Sequence, residues 1–340
     1  MKGRGASLLV VAFAIIAILS VCPVLVCTAH GAEIRQLRGV LSAGDPRGPV
    51  RRVLVTKRSC SYPSGVPTWG ERLRALEEEY GRNGRIELRT LFIGGEKNAS
   101  FQANQYVYDS VGRLIEDVYN TDFFYRAYIA RNTYDERGYL AETVYFNAQN
   151  ELASRCLYDY DEHGRRTSER SFDKDGADTR TIRSVYPDET TSKPSELTTY
   201  DRDGRLKSRT ELTYTPNGDL LTSRTESDLG FFQEGTQNTY DDAGRLVRTM
   251  LQTRYQTNIV VFDKYGSPIS ETLFDDRGRL VTHSVRLYAY DKYGNWTYCL
   301  DLHSRHVLFG FSIMLPYEFA VKEIGYYEDD APVTTAKDGR

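Results

Sequence analysis

The chain is poor in the residues from which most active sites are built. In 340 residues there are five Cys, five His, three Met and two Trp. Two of the cysteines, Cys22 and Cys27, fall in an apolar leader, which leaves Cys60, Cys156 and Cys299 to the body. An odd count permits at most one internal bridge with a thiol left over. Cys156 and Cys299 are expected as buried fillers of strands, and no His signature accompanies any of the three to make a catalytic thiol. His303 and His306 stand three apart with no third ligand at metal spacing. No Gly-x-Ser-x-Gly elbow, phosphate-cradling loop or His-Glu-x-x-His pair occurs. Charge of one sign is lacking too. The 44 Lys and Arg are mixed among 47 Asp and Glu, which excludes the basic face that nucleic acid requires.

What the chain has is one phrase, repeated: an aromatic, usually Asp, two variable residues, Gly, and often Arg-Leu. It stands at Tyr108-Asp109…Gly112, Tyr134-Asp135…Gly138, Tyr160-Asp161…Gly164 and Tyr200-Asp201…Gly204. It returns at Tyr240-Asp241…Gly244, Phe262-Asp263…Gly266, Phe274-Asp275…Gly278 and Tyr290-Asp291…Gly294-Asn295-Trp296. Worn copies fill the gaps, at Phe146-Asn147…Asn150, Phe172-Asp173…Gly176 and Tyr214-Thr215…Gly218. A fixed period is the mark of a repeat architecture. Asp at the first turn position and Gly at the fourth suit a type I turn closed by a left-handed Gly, the three-residue hairpin loop with a bulge. Segments between turns are rich in Thr, Val, Tyr, Leu and Arg, which favours strands. The fold class expected is therefore all-β: antiparallel hairpin repeats forming a curved or partly closed sheet. Asp173-Lys174-Asp175-Gly176 and Asp201-Arg202-Asp203-Gly204 look like pieces of calcium loops, but Gly stands fourth rather than sixth, so they read as turns.

This phrase resembles the tyrosine-aspartate repeat of the RHS family, with the Tyr290–Tyr298 stretch an especially good copy. The resemblance implies a strip of hairpins that spirals into a hollow shell in the long members of that family. The chain is similar in its repeat alone. It has no self-cleaving core segment or toxin-like domain after the repeats, so the large-toxin role is not carried over.

The ends read differently. Residues 1–31 have the form of a secretory signal, with Lys2 and Arg4 before an apolar run and Ala29-His30-Gly31 as the cleavage site. The run is also long enough for an uncleaved anchor; Pro23 and the two cysteines favour cleavage. Loss of Lys2 and Arg4 would leave 42 basic against 47 acidic residues. Residues 32–67 read as a Gly/Pro/Arg-rich spacer with a short strand at 50–56. Residues 68–80 read as one short helix, because Thr68 and Glu71 form a capping-box pattern and Leu73, Leu76 and Tyr80 follow at helical spacing. Glu77, Glu78 and Glu79 would then be its solvated face. The repeat domain spans 81–328, ending in an apolar stretch that closes the array, and 329–340 is a disordered tail.

Function follows from these absences and from the repeat. The expectation is an exported, non-enzymatic protein of a bacterial cell envelope, periplasmic or secreted, with no cofactor or metal. Its partner would be a glycan, a wall polymer or an envelope protein. Tyr108, Tyr134, Tyr160, Tyr200, Tyr240, Tyr290 and Trp296 are the candidate ligand surface. The Asp and Gly of each copy, Asp109 to Gly294, are assigned to the turns. Two alternatives stand beside this. One is an envelope hydrolase using turn carboxylates; the other is a neutralising partner of a secreted effector, with Val307–Leu315 as its contact.

Overall fold

The computed structural model describes residues 46–93, 100–121, 128–307 and 311–327. The expected leader and tail lie outside them. The strands in chain order are β1 (Val50–Ser61), β2 (Thr68–Trp69), β3 (Leu73–Tyr80), β4 (Ile86–Ile93), β5 (Ser100–Tyr108), β6 (Leu114–Thr121) and β7 (Tyr128–Tyr134). They continue with β8 (Leu140–Asn147), β9 (Leu152–Tyr160), β10 (Arg166–Asp173), β11 (Asp178–Val185), β12 (Glu196–Asp201), β13 (Leu206–Tyr214) and β14 (Leu220–Ser227). Last come β15 (Phe232–Tyr240), β16 (Leu246–Thr253), β17 (Gln256–Phe262), β18 (Pro268–Asp275), β19 (Leu280–Tyr290), β20 (Trp296–Val307) and β21 (Phe311–Tyr326).

From β3 to β21 each strand pairs antiparallel with the next. β1 then fits between the two ends of this series. Val53 lies opposite Ile324 of β21 on one side and Glu78 of β3 on the other. The sheet is thus a closed antiparallel barrel of twenty strands, with β2 a short addition to the end of β1. This corrects the expected curved or partly closed sheet. It also overturns the expected short helix: 68–80 form β2 and β3, with a 3-10 turn at Pro63–Gly65 before them. The capping-box pattern lost to tertiary pairing. Leu76, Glu78 and Tyr80 share one face of β3 and are buried, while Glu79 and Arg74 are exposed. Alternation rather than the 3.6 period decides the segment once β1 and β4 offer ladders on both sides.

Twenty strands about 4.8 Å apart give a perimeter of roughly 100 Å, far too wide for side chains to fill. Burial agrees. In β10 to β18 only Thr198 and Pro268 are buried. The packed core is confined to the closure, where Val53, Val55, Leu76, Tyr80, Trp296, Cys299 and Ala320 cluster. The remainder is a thin wall with two faces. In β13, Leu206, Ser208, Thr210, Leu212 and Tyr214 are half-buried and alternate with exposed Lys207, Arg209, Glu211 and Thr213. A concave wall crowds its side chains, so the half-buried set faces the lumen, as do Val53 and Val55 in the closure.

The outer face carries ion pairs between strands, such as Arg131–Glu116 at 2.9 Å, Arg155–Glu142 at 3.7 Å and Arg209–Glu196 at 3.6 Å. A bilayer-spanning wall would need an apolar band there, and Arg near the midplane costs about 2–4 kcal/mol each. This wall is built for water. No helix among the described residues is long and apolar enough to cross a membrane.

Because the packed core sits at the closure, truncation there should cost more than truncation of the wall. Leu76→Ala is expected to destabilise by about 2–5 kcal/mol, and Leu206→Ala by a small fraction of that, read from denaturant unfolding midpoints of the two variants.

Candidate functional site

The repeated phrase builds two rims. Turns at Asp109, Asp135, Asp161, Thr215, Asp241, Asp263 and Asp291 lie at one end of the barrel. Those at Asn147, Asp173, Asp201, Ser227 and Asp275 lie at the other. Each has the same construction. At Asp109 the carboxylate accepts the backbone N–H groups of Val111 (3.1 Å) and Arg113 (2.7 Å). Gly112 donates to the Asp109 carbonyl and sits at φ 87°, a conformation that a Cβ would strain. The worn copy keeps the shape with Asn150 at φ 59°. A one-residue bulge follows each turn, as where Tyr108 meets Leu114.

At the first rim the tyrosine ring points inward, and its hydroxyl stitches one hairpin to the previous one. Tyr134 donates to the Leu114 carbonyl (2.8 Å), Tyr160 to Leu140 (3.0 Å), Tyr214 to Pro194 (2.9 Å) and Tyr240 to Leu220 (2.8 Å). Tyr108 donates to Ile86 (2.9 Å), while Tyr290 turns to the Asp263 carboxylate. The Arg after Gly serves two repeats. Arg113 pairs with Asp109 at 2.7 Å and places its guanidinium 4.5 Å from the Tyr134 ring centroid. Arg165 does the same with Asp161 and Tyr186. Where Tyr139 replaces that Arg, it stacks on Tyr160 at 5.0 Å.

At the second rim the aromatic points outward, beneath an Arg from the preceding strand. Arg131 covers Phe146, Arg155 covers Phe172 and Arg183 covers Tyr200, at 4.8, 5.1 and 5.1 Å. No stitch is needed there, so Phe serves as well as Tyr. Of the candidate ligand surface, five tyrosines therefore collar the first mouth, with their hydroxyls engaged in the wall. Tyr200 stands apart at the other end, and Trp296 is only 2 % exposed within the closure.

The turn carboxylates are committed. Asp109, Asp201 and Asp275 are held below the usual carboxylate range chiefly by the backbone N–H four residues on. Asp241 is held down chiefly by Arg245. At Asp135 and Asp161 desolvation pulls upward, and the combined donors outweigh it. Asp173 accepts from Asp175 and Ala177 in the same way, so the calcium-like fragments are turns. Among the described residues no group of His, Cys, Asp and Glu is arranged to hold a metal.

The closure holds the buried charges. Arg286 bonds Glu271 at 3.0 Å and Asp301 at 3.2 Å. Glu78 accepts from Tyr80 (2.6 Å) and Arg89 (2.8 Å). Lys322 lies 5.1 Å from the Trp296 ring centroid, and burial lowers its pKa. Cys60, Cys156 and Cys299 are free thiols; Cys299 is buried, which pushes its pKa up to about 12, far from reactive.

One lumenal feature lies outside the repeated phrase. Tyr106, Tyr119, Tyr128, Tyr145 and Tyr158 stand on the inner face of the five consecutive strands β5 to β9. Tyr119 stacks on Tyr128 at 4.9 Å, and Tyr145 meets Tyr128 edge-on at 6.3 Å. Beneath them lie Ala130, opposite Asp117 on one side and Tyr145 on the other, and the pair Asn132–Thr143 at 2.7 Å. Desolvation raises the phenol pKa of Tyr106, Tyr128 and Tyr158, and that of Tyr145 to about 12. The sequence reading passed over these residues. Their signal was period two: Tyr106 and Tyr158 each precede a collar tyrosine by two and so share its inner face.

No family model matches the chain, and no curated protein matches it. Among solved structures it is similar to a porin-like protein from Bacteroides uniformis, at 11 % identity and TM-score 0.36, covering 82 % of this chain and 98 % of the other. It is similar also to a chain of the Photorhabdus luminescens Tc holotoxin pore, at 14 % identity and TM-score 0.27, covering 84 % of this chain. A TcdB2–TccC3 complex matches at 14 % identity and TM-score 0.27 over 77 % of this chain. The chain spans about a fifth of either toxin chain, 20 % and 18 %. Likenesses at these scores carry no weight for function, and the tyrosine-aspartate resemblance rests on the motif.

Two outcomes follow for the rims. Tyr160→Phe is expected to cost about 1 kcal/mol, one net hydrogen bond, seen as a lowered unfolding midpoint with an unchanged far-ultraviolet spectrum. Asp109, Asp135, Asp161, Asp201, Asp241, Asp275 and Asp291 have folded pKa values below their unfolded ones. Their contribution is present above the unfolded value of about 3.9 and is lost as pH falls through the folded values. The thermal midpoint should hold steady down to about pH 4 and then drop, as a pH series of melts would read out.

Proposed function

We propose that the protein is an exported, non-enzymatic binding barrel of a bacterial cell envelope, which holds a hydrated polymer, a glycan or wall polymer, against the wall of its lumen. The observation that carries this reading is the composition of the inner face away from the closure. It presents phenols, amides and hydroxyls, including Asn104, Asn132, Asn238 and Thr249, in a space too wide to be packed. Ring faces beside hydrogen-bonding groups suit polyhydroxylated chains. The leader-like first 31 residues support export. A hydrolase would need two unneutralised carboxylates facing each other. The turn carboxylates are spent on backbone donors, and Glu271 and Asp301 are both bound to Arg286.

A second reading, a protein partner, is favoured by one patch. On the outer face of the closure, Leu287 and Tyr298 are 42 % and 51 % exposed, and Phe319 stacks on Tyr298 at 6.1 Å. Elsewhere that face carries Arg–Glu pairs such as Arg131–Glu116 and Arg209–Glu196.

The purified mature protein is expected to retain polymers on a glycan array or in a cell-wall pull-down without releasing reducing ends. Absence of any retained polymer, together with steady accumulation of reducing ends, would overturn the reading.

A further inference from the structure

We propose that the tyrosine arc on β5 to β9 is the subsite that grips the polymer, and that its ligand is a neutral, linear oligosaccharide; this rests on the binding reading above. Five consecutive strands at about 4.8 Å spacing make the arc roughly 19 Å long, the length of a short oligosaccharide. Tyr119, Tyr128 and Tyr145 lie toward the second mouth, Tyr128 opposite Asn147 of a second-rim turn, with Tyr106 and Tyr158 nearer the first mouth at either end. The arc curves around Ala130, 7 % exposed, the small residue of the inner row Tyr128, Ala130, Asn132 and Tyr134. That floor is buried, Thr143 being 5 % exposed and bonded to Asn132, whose amide in turn donates to the Leu114 carbonyl, so a sugar would meet the rings and phenol hydroxyls above it.

The hydroxyls separate this arc from the collar. Collar phenols are spent on carbonyls of the wall. In the arc Tyr158 donates to Thr143 at 3.5 Å, but the phenols of Tyr106, Tyr119 and Tyr145 have no hydrogen-bond partner in the wall among the described residues. They are placed to bond a ligand.

Charge selects the class. Glu78 is matched by Arg89 and Glu169 by Arg180, whereas among the described residues Asp117 has the Asn104 amide at 2.9 Å and no Arg or Lys within ion-pair distance. One unmatched carboxylate in the floor disfavours acidic sugars and leaves neutral ones unaffected.

The test is calorimetric titration of the full mature chain with cellohexaose, chitohexaose and hexagalacturonate. At least one neutral hexaose should bind, and hexagalacturonate should bind more weakly. Tyr145→Ala with Tyr158→Ala should weaken binding about tenfold or more, equivalent to about 1.4 kcal/mol. Tyr119→Phe with Tyr145→Phe, which keeps the rings packed, should weaken it severalfold with an unchanged melting point. Arg209→Ala on the outer wall should bind as the parent does. Parent-like binding by both tyrosine pairs would overturn the subsite while leaving the binding reading intact. Tighter binding of hexagalacturonate than of either neutral hexaose would overturn the ligand class. Failure of all three sugars to bind the parent protein would overturn subsite and class together. Wall polymer retained in the pull-down would then still stand for the broader reading.

Discussion

The whole architecture depends on one insertion. β1 enters between the first and last strands of a nineteen-strand series and pairs with both, so a ribbon that would have two open edges has none. Among the described residues the insertion is also where the core cluster lies. Val53 and Val55 are 0 % and 1 % exposed, and the buried charges Glu78, Arg286, Asp301 and Lys322 lie around them. Elsewhere each strand is held by its ladders and by contacts between adjacent repeats. An open edge on so long a ribbon would be a template for aggregation. Concentrating apolar burial at the closure makes the closed form the favoured one. The terminus of the inserted strand is pinned as well: Asn295 bonds the backbone of Arg47 in both directions, and Tyr327 donates to the Pro49 carbonyl.

The repeat does at the rims what a core does in a compact domain. Its Asp fixes the turn, its Gly admits the positive φ, its Arg clasps that Asp and covers the next ring, and its Tyr reaches the neighbouring carbonyl. Each residue touches its own hairpin or the adjacent one, so stability accumulates between neighbours as in other repeat proteins. The face on which the aromatic falls decides its chemistry. Inside, at the first rim, the aromatic is in most copies a Tyr whose hydroxyl reaches the wall, Phe262 being the exception; outside, at the second, an Arg-covered ring suffices. Phe146, Phe172 and Phe274 are therefore not decayed tyrosines but residues of the other rim.

This division explains what was legible in the sequence. Turns, strands and the all-β class followed from the phrase itself, because Asp and Gly at those positions are local chemistry. The two rims were not separable. Spacing alone shows copies at one or two strand-lengths apart and says nothing of which end or face each occupies. Closure was hidden for a related reason. Residues 50–61 look like part of a polar spacer, and only pairing with β21, more than two hundred residues away, as well as with nearby β3 makes them the key strand. The helix expected at 68–80 failed in the same way, since Leu73, Leu76 and Tyr80 satisfy a helical period while Leu76, Glu78 and Tyr80 satisfy a strand. Only the ladder partners choose between them.

The same logic bears on where a ligand is held. The tyrosines that repetition makes conspicuous are those with structural employment, so conspicuousness in the sequence points away from the ligand. Tyr119, Tyr128 and Tyr145 belong to no repeated phrase, and β10 to β18 carry no equivalent cluster of rings on their inner face. An arrangement that breaks the repeat on one arc of the wall is not demanded by the repeat's own packing. In a barrel whose walls are otherwise maintained by near-identical hairpins, such a departure is where a function other than holding the wall together has room to act.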